Sequence, residues 1–570
     1  MATRVLESCT VADAYLALLA DRGVEYFFAN AGTDFAPLIE AFAKAQALGT
    51  PAPKPVTVPH ENVTVALAMG YTMVTGRPQA VMLHTTVGTA NGICQVLNSY
   101  RLNLPMLFSA GRTPWTEEGV TGGRSIDIHW TQEMFDQGGM LREATKWDYE
   151  LRNAQQLESV VDRALNLTRA QPCGPVYLTL PREVLAQPLD RFAFDSPARH
   201  ADALPPHPDA NAVDRLAALL TAAERPVIVA TQLGSDHAAV AALGALADAL
   251  AIPVAMHRPR TLCLPADHPM HVGYAAGPWL KDADLVIAVE ASAPWIPSRE
   301  SPPADAAVVH VGVDPLFSTH PIRGFPCDLA VAGAAAATLT ALAAAIDTAQ
   351  PALRDRIARR RARVAERQAM RQAALAQKLE QAARQTPMHP AWVSHCLNEV
   401  KGEDAIVMME SPLDLDYARF NRPGTVFVGA SGLGWGLGGA LGAKLAAPDR
   451  LVIATEGDGA YMYGNPVSSH YVSEALGLPF LTVIFNNRSW HAVRQSTRGL
   501  YPDGYAARSN AEPLTDLEPS PRFERVVAAS DGYGERVEDP AEMPAALQRA
   551  LKAVREEKRQ AVLNVICAAV

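Results

Sequence analysis

Two short polar segments follow apolar runs near the carboxyl end of the chain. Gly-Asp-Gly at 457–459 comes after LVIAT, and Asn-Asn at 486–487 comes after FLTVIF. The residues between the two runs predict a helix over 464–476. A right-handed strand–helix–strand unit places two such strands parallel, so both polar segments are expected at one edge of a sheet.

Oxygen ligands are the chemistry that this edge offers. Asp458 provides a carboxylate, Asn487 an amide oxygen and Ser489 a main-chain carbonyl. Mg²⁺ prefers such ligands and takes the rest of its shell from phosphate and water. Gly457 and Gly459 would let a phosphate approach the backbone, where the N–H groups of the following helix could bind it. We predict a Mg²⁺-diphosphate site, the alternative being an ordinary turn that holds Asp and Gly.

The spacing of these segments also resembles a known signature. Gly-Asp-Gly, 26 further residues and Asn-Asn resemble the diphosphate-binding motif of thiamine diphosphate (ThDP) enzymes. The likeness covers nearly the whole chain and is to the decarboxylase and acetohydroxyacid synthase superfamily, with benzoylformate decarboxylase-like and acetolactate synthase-like features. It implies ThDP and Mg²⁺ as cofactors, a 2-oxo acid as substrate, and an enamine that is protonated or joined to an aldehyde or ketone acceptor. The alternatives are an acetolactate synthase-type carboligase, ThDP-dependent C–C lyase or hydrolase chemistry, and a non-catalytic ThDP-fold binding protein.

The segment VTVPHENVTVALAMGYTMVTGRP (56–78) resembles the strand, His-Glu pair and helix of that family. The resemblance assigns Glu61 to the N1′ atom of the aminopyrimidine, where it promotes the imino tautomer that takes the thiazolium proton. Apolar neighbours suit a shared proton: Val58, Val63, Val65 and Leu67. A solvated glutamate at a helix start is the alternative.

The glycine-rich segment SGLGWGLGGALGAK (431–444) resembles the stretch that precedes Gly-Asp-Gly in the family, with Gly439 where proline is usual. The resemblance places Leu433 under the bent cofactor and the Ser431 carbonyl beside its 4′-amino group. Close helix packing on a sheet is the alternative. Two further cofactor contacts are expected at Ser411 and Ala460.

Substrate-binding residues are suggested by two segments of the first domain, NAGTDFAPLIEAF (30–42) and LHTTVGTANG (83–92). They resemble benzoylformate decarboxylase and make Thr33 a substrate-contacting hydroxyl and His84 a catalytic histidine, whose pKa near working pH suits proton transfer. A structural histidine at a strand end is the alternative. Gln132 and Glu133 resemble the synthases instead. Weaker substrate candidates are His129, Trp490 and His491.

The elements that must position these residues are short apolar runs that alternate with helix-length segments. This pattern predicts an α/β fold of three doubly wound parallel-sheet domains. The runs are YFFA, PVTV, AVMLHT, PMLFSA, VYLTL, PVIVA, LVIAV, AVVHV, AIVMM, LVIAT, FLTVIF and VLNVI. The predicted units are a pyrimidine-binding (PYR) domain at 1–186, a central Rossmann-like domain at 190–345, a charged linker helix at 346–385 and a diphosphate-binding (PP) domain at 386–570.

Four expectations concern the connections. An amphipathic helix is expected at the amino terminus, and a Pro/Asp/Ala-rich linker at 186–212. The basic stretch at 353–385 is expected to be a solvated helix with i,i+4 ion pairs, the alternative being a docking patch for anions. The Gly/Pro-rich segment at 497–523 is expected to form an active-site lid.

The composition of the chain limits the kinds of partner and cofactor that it is expected to bind. A net charge of −10 disfavours nucleic acid and anionic membranes, and no apolar run reaches about 18 residues. Seven scattered cysteines favour neither a disulfide framework nor a zinc site, and we expect a cytoplasmic protein. FAD is doubtful as a cofactor. The segment EASAPWIPSRES (290–301) contains no histidine, whereas the same region of benzoylformate decarboxylase carries a second catalytic histidine. No strand-linked GxGxxG supports a dinucleotide-dependent oxidoreductase. In the family Glu61 and Gly-Asp-Gly come from different subunits, which implies a homodimer or homotetramer.

Overall fold

The computed structural model describes residues 2–410 and 412–569. The strands are β1 (Ala2–Thr10), β2 (Tyr26–Ala29), β3 (Lys54–Thr57), β4 (Ala80–Leu83), β5 (Met106–Arg112), β6 (Asp148–Glu150), β7 (Pro175–Pro181), β8 (Pro188–Ser196), β9 (Pro226–Ala230), β10 (Val254–Ala255), β11 (Leu285–Val289), β12 (Ala307–Gly312), β13 (Leu329–Ala332), β14 (Ile406–Met409), β15 (Val426–Val428), β16 (Val452–Gly457), β17 (Leu481–Asn486), β18 (Tyr533–Val537) and β19 (Ala561–Ile566).

The helices between them cover the faces of the sheets. They are α1 (Val11–Asp21), α2 (Ala36–Leu48), α3 (Glu61–Thr75), α4 (Thr85–Arg101), α5 (Ile128–Thr131), α6 (Leu157–Arg169), α7 (Arg182–Leu185), α8 (Ala210–Ala222), α9 (His237–Leu250), α10 (Gly277–Leu280), α11 (Ala335–Ala345), α12 (Pro351–Ala382), α13 (Pro390–Lys401), α14 (Gly436–Ala446), α15 (Asp458–Tyr463), α16 (Pro466–Leu476), α17 (His491–Leu500), α18 (Tyr505–Ser509) and α19 (Met543–Arg555).

Three parallel sheets carry the fold. The first has the strand order β3-β2-β4-β5-β7-β6, the second β10-β9-β11-β12-β13 and the third β15-β14-β16-β17-β19-β18. Every apolar run identified in the sequence falls on one of these strands. The central strands are buried along their length, as PVIVA of β9 and LVIAV of β11 show. The predicted α/β class with three parallel-sheet units is confirmed, whereas the domain boundaries stay predictions.

The amino terminus differs from its expectation. Residues Ala2–Thr10 form strand β1, which pairs antiparallel with β8 inside the expected 186–212 linker. The helix begins only at Val11, where Thr10 caps it: the Thr10 hydroxyl accepts the N–H of Asp13 at 3.2 Å. The amphipathic pattern therefore belongs to α1 alone, because the preceding residues satisfy their backbone groups on a partner almost 190 positions away.

Helix α12 confirms the predicted long, mostly exposed helix, but its described ion pairs go to other elements and not to i,i+4 positions of the helix itself. Its arginines bind acidic side chains of the central domain, with Arg356 and Arg359 on Glu224 and Arg361 on Asp248. Arg360 is buried and donates to the last carbonyls of α8 and α9, at 2.9 Å from Leu220 and 3.1 Å from Leu250. Further along, Arg371 binds Asp416 of the third domain and Lys378 binds Asp414. The basic cluster thus fastens α12 to two domains, because its acidic partners lie on other elements.

Helices α3 and α14 join the first and third sheets. They approach so closely that backbone touches backbone: a Cβ at Gly70 would overlap the carbonyl of Gly439, and one at Gly442 would lie 2.5 Å from the nitrogen of Tyr71. Glycine is required at both positions by this approach and not by its φ angle. Gly439 and Gly442 of the family-like segment therefore serve packing of one helix on another, whereas the alternative interpretation expected packing on a sheet.

No helix in the described ranges is long and apolar enough to cross a membrane.

Candidate active site

The carboxyl ends of β16 and β17 lie side by side, as the sequence predicts. Gly457 is paired with Phe485, so Asp458 follows one strand directly beside the end of the other. Its carboxylate accepts the N–H of Arg488 at 2.6 Å and the N–H of Gly459 at 2.9 Å. The structure therefore brings Asp458 against the segment that contains Asn487 and Ser489.

The predicted oxygen ligands hold local hydrogen bonds. Asn487 Oδ1 accepts both the N–H and the hydroxyl of Ser489, at 3.0 and 3.1 Å, and the carbonyl of Ser489 accepts the N–H of His491 at 2.8 Å. The Ser489 carbonyl keeps a second lone pair for a cation, and Asn487 Oδ1 can bind one once the Ser489 hydroxyl rotates away. Burial raises the pKa of Asp458, and a divalent ion beside it would favour the ionised form. Asn486 is buried and bonds Asn564, so only the second asparagine belongs to the site.

The glycines at this edge have different environments. Within the described part of the chain, no atom lies within 4 Å of a Cβ built on Gly457, so this side of the turn is open to a ligand. At Gly459 a Cβ would lie 2.8 Å from Trp490 Cε3, so the absent side chain makes room for an indole. Helix α15 begins at once with Asp458 and buries Ala460, and the predicted 464–476 helix is found as α16. An open turn with oxygen ligands fits the predicted diphosphate and Mg²⁺.

Glu61 is the first residue of α3. Its Oε2 accepts the amide N–H of Asn91 at 2.6 Å, and a Cβ at Gly88 would lie 3.5 Å from the carboxylate, so α4 shapes this side of the site. The apolar neighbours named above are fully buried, as expected. Asn91 therefore orients the carboxylate, a contact that the sequence did not reveal.

Side-chain amides of the first domain hold the Gly-rich segment of the third. Asn98 accepts the N–H groups of Ser431 and Gly432 at 2.9 and 2.8 Å, and Gln95 donates to the Leu433 carbonyl at 3.0 Å. The side chain of Leu433 remains 40% exposed, which suits an apolar surface under a cofactor. These contacts lie within one chain, whereas the resemblance places Glu61 and Gly-Asp-Gly on different subunits.

His84 and Thr33 lie in a second group of residues that converges near Glu61. His84 caps α4 and its Nδ1 is 2.5 Å from Asp34 Oδ1, a hydrogen bond that raises the pKa of the imidazole. Thr85, which follows, has φ of 41°, a strained value for a β-branched residue that is typical of functional sites. Thr33 Oγ1 is 3.5 Å from His129 Nε2.

The remaining substrate candidates are distributed around this group. Gln132 accepts hydrogen bonds from the hydroxyls of Thr85 and Thr86 at the start of α4. Glu133 instead binds Arg112 at 2.7 Å and Arg124 at 2.8 Å, so its role is an ion-pair network. Trp490 lies at the Gly-Asp-Gly edge, beside Gly459, and His491 begins α17. Ser411 falls outside the described residues.

A pair of buried carboxylic acids under the Gly-rich segment was missed by the sequence reasoning. Glu410 directly follows β14 and accepts the N–H groups of Gly434 and Gly436, the latter at 2.7 Å. Glu456, directly before Gly-Asp-Gly, lies beside it. Burial raises the pKa of both, and repulsion from Glu410 raises that of Glu456 further. The only signal in the sequence was an acidic residue inside an otherwise apolar strand.

No group of three or more His, Cys, Asp or Glu side chains suited to a metal occurs in the ranges that the structure covers. The predicted Mg²⁺ site contains a single such residue, Asp458, because its other ligands are an amide and a carbonyl.

Known protein families match this chain in the regions of all three parallel sheets. Family models for the thiamine pyrophosphate enzymes match the chain as an N-terminal TPP-binding domain over 9–140, a central domain over 213–342 and a C-terminal TPP-binding domain over 414–565.

Similar proteins include enzymes with two kinds of activity. An acetolactate synthase large subunit of Mycobacterium tuberculosis is 28% identical over 86% of this chain and 85% of its own length. A benzoylformate decarboxylase of Pseudomonas aeruginosa is 27% identical over 85% of this chain and 87% of its own. The structure of a ThDP-dependent 4-hydroxybenzoylformate decarboxylase from Rhodococcus jostii RHA1 is similar with a TM-score of 0.77 at 22% identity, covering 98% of this chain and 99% of that one, a likeness of fold. The chain belongs to the thiamine pyrophosphate enzyme family.

Proposed function

We propose that the protein is a ThDP- and Mg²⁺-dependent enzyme that decarboxylates a 2-oxo acid, with or without carboligation to a second carbonyl. One observation carries the proposal: Asp458 lies against the Asn487–Ser489 segment, while the helix that begins at Glu61 packs on the Gly-rich segment beside it. We propose that the oxygen ligands for a cation and the carboxylate for the aminopyrimidine face one site. Supporting this, Asn62, which follows Glu61, donates to the Gly434 carbonyl at 3.3 Å and to the Tyr463 carbonyl, at the end of α15, at 3.4 Å.

The proposed roles follow from the contacts. Asp458, Asn487 and the Ser489 carbonyl would hold Mg²⁺, the open turn at Gly457 would take the diphosphate, and Leu433 and Ser431 would contact the rings. When bound, the cofactor supplies the carbanion and the electron sink.

Three side chains then do the protein's part of the chemistry. Glu61, oriented by Asn91, shares a proton with the aminopyrimidine. His84 moves a proton at its Nε2 atom, and Thr33 binds the substrate through its hydroxyl. Packing of α3 on α14 excludes water behind Glu61.

The outcome of the reaction divides the leading function from its alternatives. The His84 and Thr33 pocket supports release of an aldehyde after protonation, as in a decarboxylase. An acetolactate synthase-type carboligase is supported by Gln132, which resembles the synthases and contacts the start of α4. Hydrolase-type C–C cleavage would give an acid instead of an aldehyde, whereas a C–C lyase would release two carbonyl products. A non-catalytic binding protein is disfavoured because both Glu61 and Asp458 are present.

The first test is cofactor binding. Protein freed of cofactor by dialysis against a chelator is titrated calorimetrically with ThDP in the presence and absence of Mg²⁺. Binding that needs Mg²⁺ and is weakened at least about tenfold in Asp458→Asn is expected. Asp449→Asn, an exposed carboxylate in the same domain, is the matched control. Absence of ThDP uptake by the unmodified protein would overturn the proposal.

The second test is turnover. Pyruvate, benzoylformate and branched 2-oxo acids are assayed for CO₂ release with and without an acceptor aldehyde, and the products are identified. Aldehyde indicates decarboxylation, a hydroxyketone indicates carboligation, and an acid indicates hydrolytic cleavage. FAD is not expected to be required, which the visible absorption spectrum of the purified protein checks.

We also propose a homodimer or homotetramer. Supporting this, the segment 115–135 exposes several large apolar side chains, namely Trp115, Val120, Ile126, Ile128, Trp130, Met134 and Phe135. Apolar surface of this extent is typical of a protein interface. If Glu61 and Gly-Asp-Gly come from different subunits, as the resemblance implies, the α3–α14 contact would form between two copies instead of within one, as in domain swapping. Light scattering of the purified protein gives the subunit number.

A further inference from the structure

Two histidines reach the candidate substrate cleft, and each has a fixed hydrogen bond at Nδ1. His84 Nδ1 lies 2.5 Å from Asp34 Oδ1. His129, on α5, accepts the backbone N–H of Ser125 at Nδ1, with the two atoms 3.2 Å apart. The two partners differ in one decisive respect, because a carboxylate only accepts hydrogen bonds and a backbone N–H only donates them.

The partners therefore select opposite tautomers. His84 must carry a hydrogen on Nδ1 to bond Asp34, which leaves Nε2 as its second, exchangeable site. His129 must present a lone pair at Nδ1 to Ser125, so its hydrogen lies on Nε2, 3.5 Å from Thr33 Oγ1. A hydroxyl that accepts from His129 is free to donate its own hydrogen elsewhere.

Packing keeps the first pair in place. A Cβ at Gly32 would lie 2.8 Å from His84 Cε1, and a Cβ at Gly111 would lie 2.5 Å from Asp34 Cγ. The imidazole and the carboxylate are thus pressed against glycine backbone on both sides. Asp34 is buried, and its Oδ2 has no hydrogen-bond partner among the described residues, so His84 is the side chain that its carboxylate binds.

We propose that Asp34 and Ser125 hold His84 and His129 in opposite tautomers, so that His84 delivers a proton through Nε2 while His129 keeps its Nε2 proton on Thr33. The inference rests on the proposed function and makes Asp34 a positioning residue. If the Nε2 proton passes to the substrate, His84 becomes neutral and retains its Nδ1 hydrogen on Asp34. A proton from solvent then restores the imidazolium. Thr33, accepting from His129, directs its own hydroxyl hydrogen to an oxygen of the substrate.

The groups around the two histidines also separate their pKa values. The pKa of His84 is raised first by its hydrogen bond to Asp34, then by the charge of Asp34, a hydrogen bond to Gln132 and the charge of Glu61, whereas burial lowers it. The pKa of His129 is lowered by burial and then by Arg182, Arg124 and His84, against a small opposing effect of Asp34. Two histidines whose environments separate their pKa values can serve as a charged donor and a neutral partner in one site.

The direct test is NMR of the cofactor-free protein with ¹⁵N-labelled histidine, whose ring shifts distinguish the tautomers. Signals are assigned by their loss in His84→Gln and His129→Gln. The neutral form of His84 is expected as the Nδ1–H tautomer and that of His129 as Nε2–H. Asp34→Asn is expected to lower the pKa of His84 by about one unit or more. Asp162→Asn removes a buried carboxylate that binds Arg22 elsewhere in this domain, and should leave His84 unchanged.

Either an Nε2–H tautomer for neutral His84 or an unchanged His84 titration in Asp34→Asn overturns the proposal. Ser125→Pro deletes the donor to His129 and provides a second test if Asp34→Asn does not fold. It is expected to let His129 populate both tautomers, and an unchanged His129 spectrum also counts against the proposal. Because these spectra need no cofactor, they are informative even if the proposed function fails.

Kinetics of the holoenzyme test whether Asp34 acts through His84. Asp34→Asn is expected to lower kcat by about tenfold or more and to shift the pH profile to lower pH. Asp34→Asn combined with His84→Gln should be within about twofold of His84→Gln alone, because the two residues form one unit. Multiplicative losses would show that Asp34 acts independently and would refute the positioning role.

Discussion

The contact between α3 and α14 makes a quantitative prediction. A Cβ at Gly442 would overlap the carbonyl oxygen of Leu67 and lie 2.5 Å from the nitrogen of Tyr71. Both neighbours are backbone atoms of α3, so the overlap can be relieved only if the helices separate. Gly442→Ala is therefore an overpacking substitution, which costs about 1–3 kcal/mol, offset by up to about 1 kcal/mol for the better helix former. The net destabilisation is expected to be about 1–2 kcal/mol.

This loss is expected to lower the thermal unfolding midpoint by about 2–8 °C for domains of this size. ThDP affinity should fall with it, because α14 continues from the segment that holds Leu433 and α3 continues from Glu61. Scanning calorimetry measures the midpoint and isothermal titration measures ThDP binding.

Gly499→Ala is the matched control. Gly499 lies in helix α17 with no atom of the described chain within 4 Å of its Cβ position. The same chemical change should there leave the midpoint unchanged or raise it slightly. If Gly442→Ala matches the control in both midpoint and ThDP affinity, the described helix contact is wrong.

Three further predictions concern catalysis, assembly and pH. Glu61→Gln should retain ThDP binding by calorimetry and lose turnover by about a hundredfold or more; full activity of this variant would refute the role of Glu61. Mixing inactive Glu61→Gln with inactive Asp458→Asn under subunit exchange should restore about a quarter of the activity if sites form between subunits, because random pairing gives half heterodimers with one intact site each; no recovery would place each site within one chain. Burial raises the pKa of Glu290 to about 7 from 4.5, so the folded state binds this proton more tightly, and stability falls as pH rises from about 5 to 7. Glu290→Gln can still accept the Val313 N–H and should raise the thermal midpoint at pH 8, by up to about 3 kcal/mol of stability, but not at pH 5; equal shifts at both pH values would contradict this assignment.

Local patterns predicted the parallel strands and the two polar strand ends. Runs such as PVIVA and LVIAV can be recognised as strands from the sequence, because a strand buried on both faces needs continuous β-branched and apolar residues. Asp458 and Asn487 could be placed together because neighbouring parallel strands end at one edge.

The remaining features depend on partners far away in the chain. Strand β1 needs β8, and its mostly exposed residues carry no apolar alternation that could announce a strand. Asp34 could not be assigned to His84, since 50 residues and two strands separate them. The acidic partners of α12 were equally hidden, because a basic helix pairs with whatever carboxylates its neighbours present. The lid expected at 497–523 stays a prediction, although α17 and α18 give part of that segment helical structure.

The length of α12 has a mechanical consequence. Its 32 residues span about 48 Å, with arginines bound to the central domain near one end and to Asp416 near the other. A tilt of the central domain would move α12 and, through it, the loop after β14, close to the Gly-rich segment. High salt would weaken the exposed ion pairs of α12 but leave Arg360 bound to its buried carbonyls. Helix α12 should therefore rotate about Arg360 and stay attached.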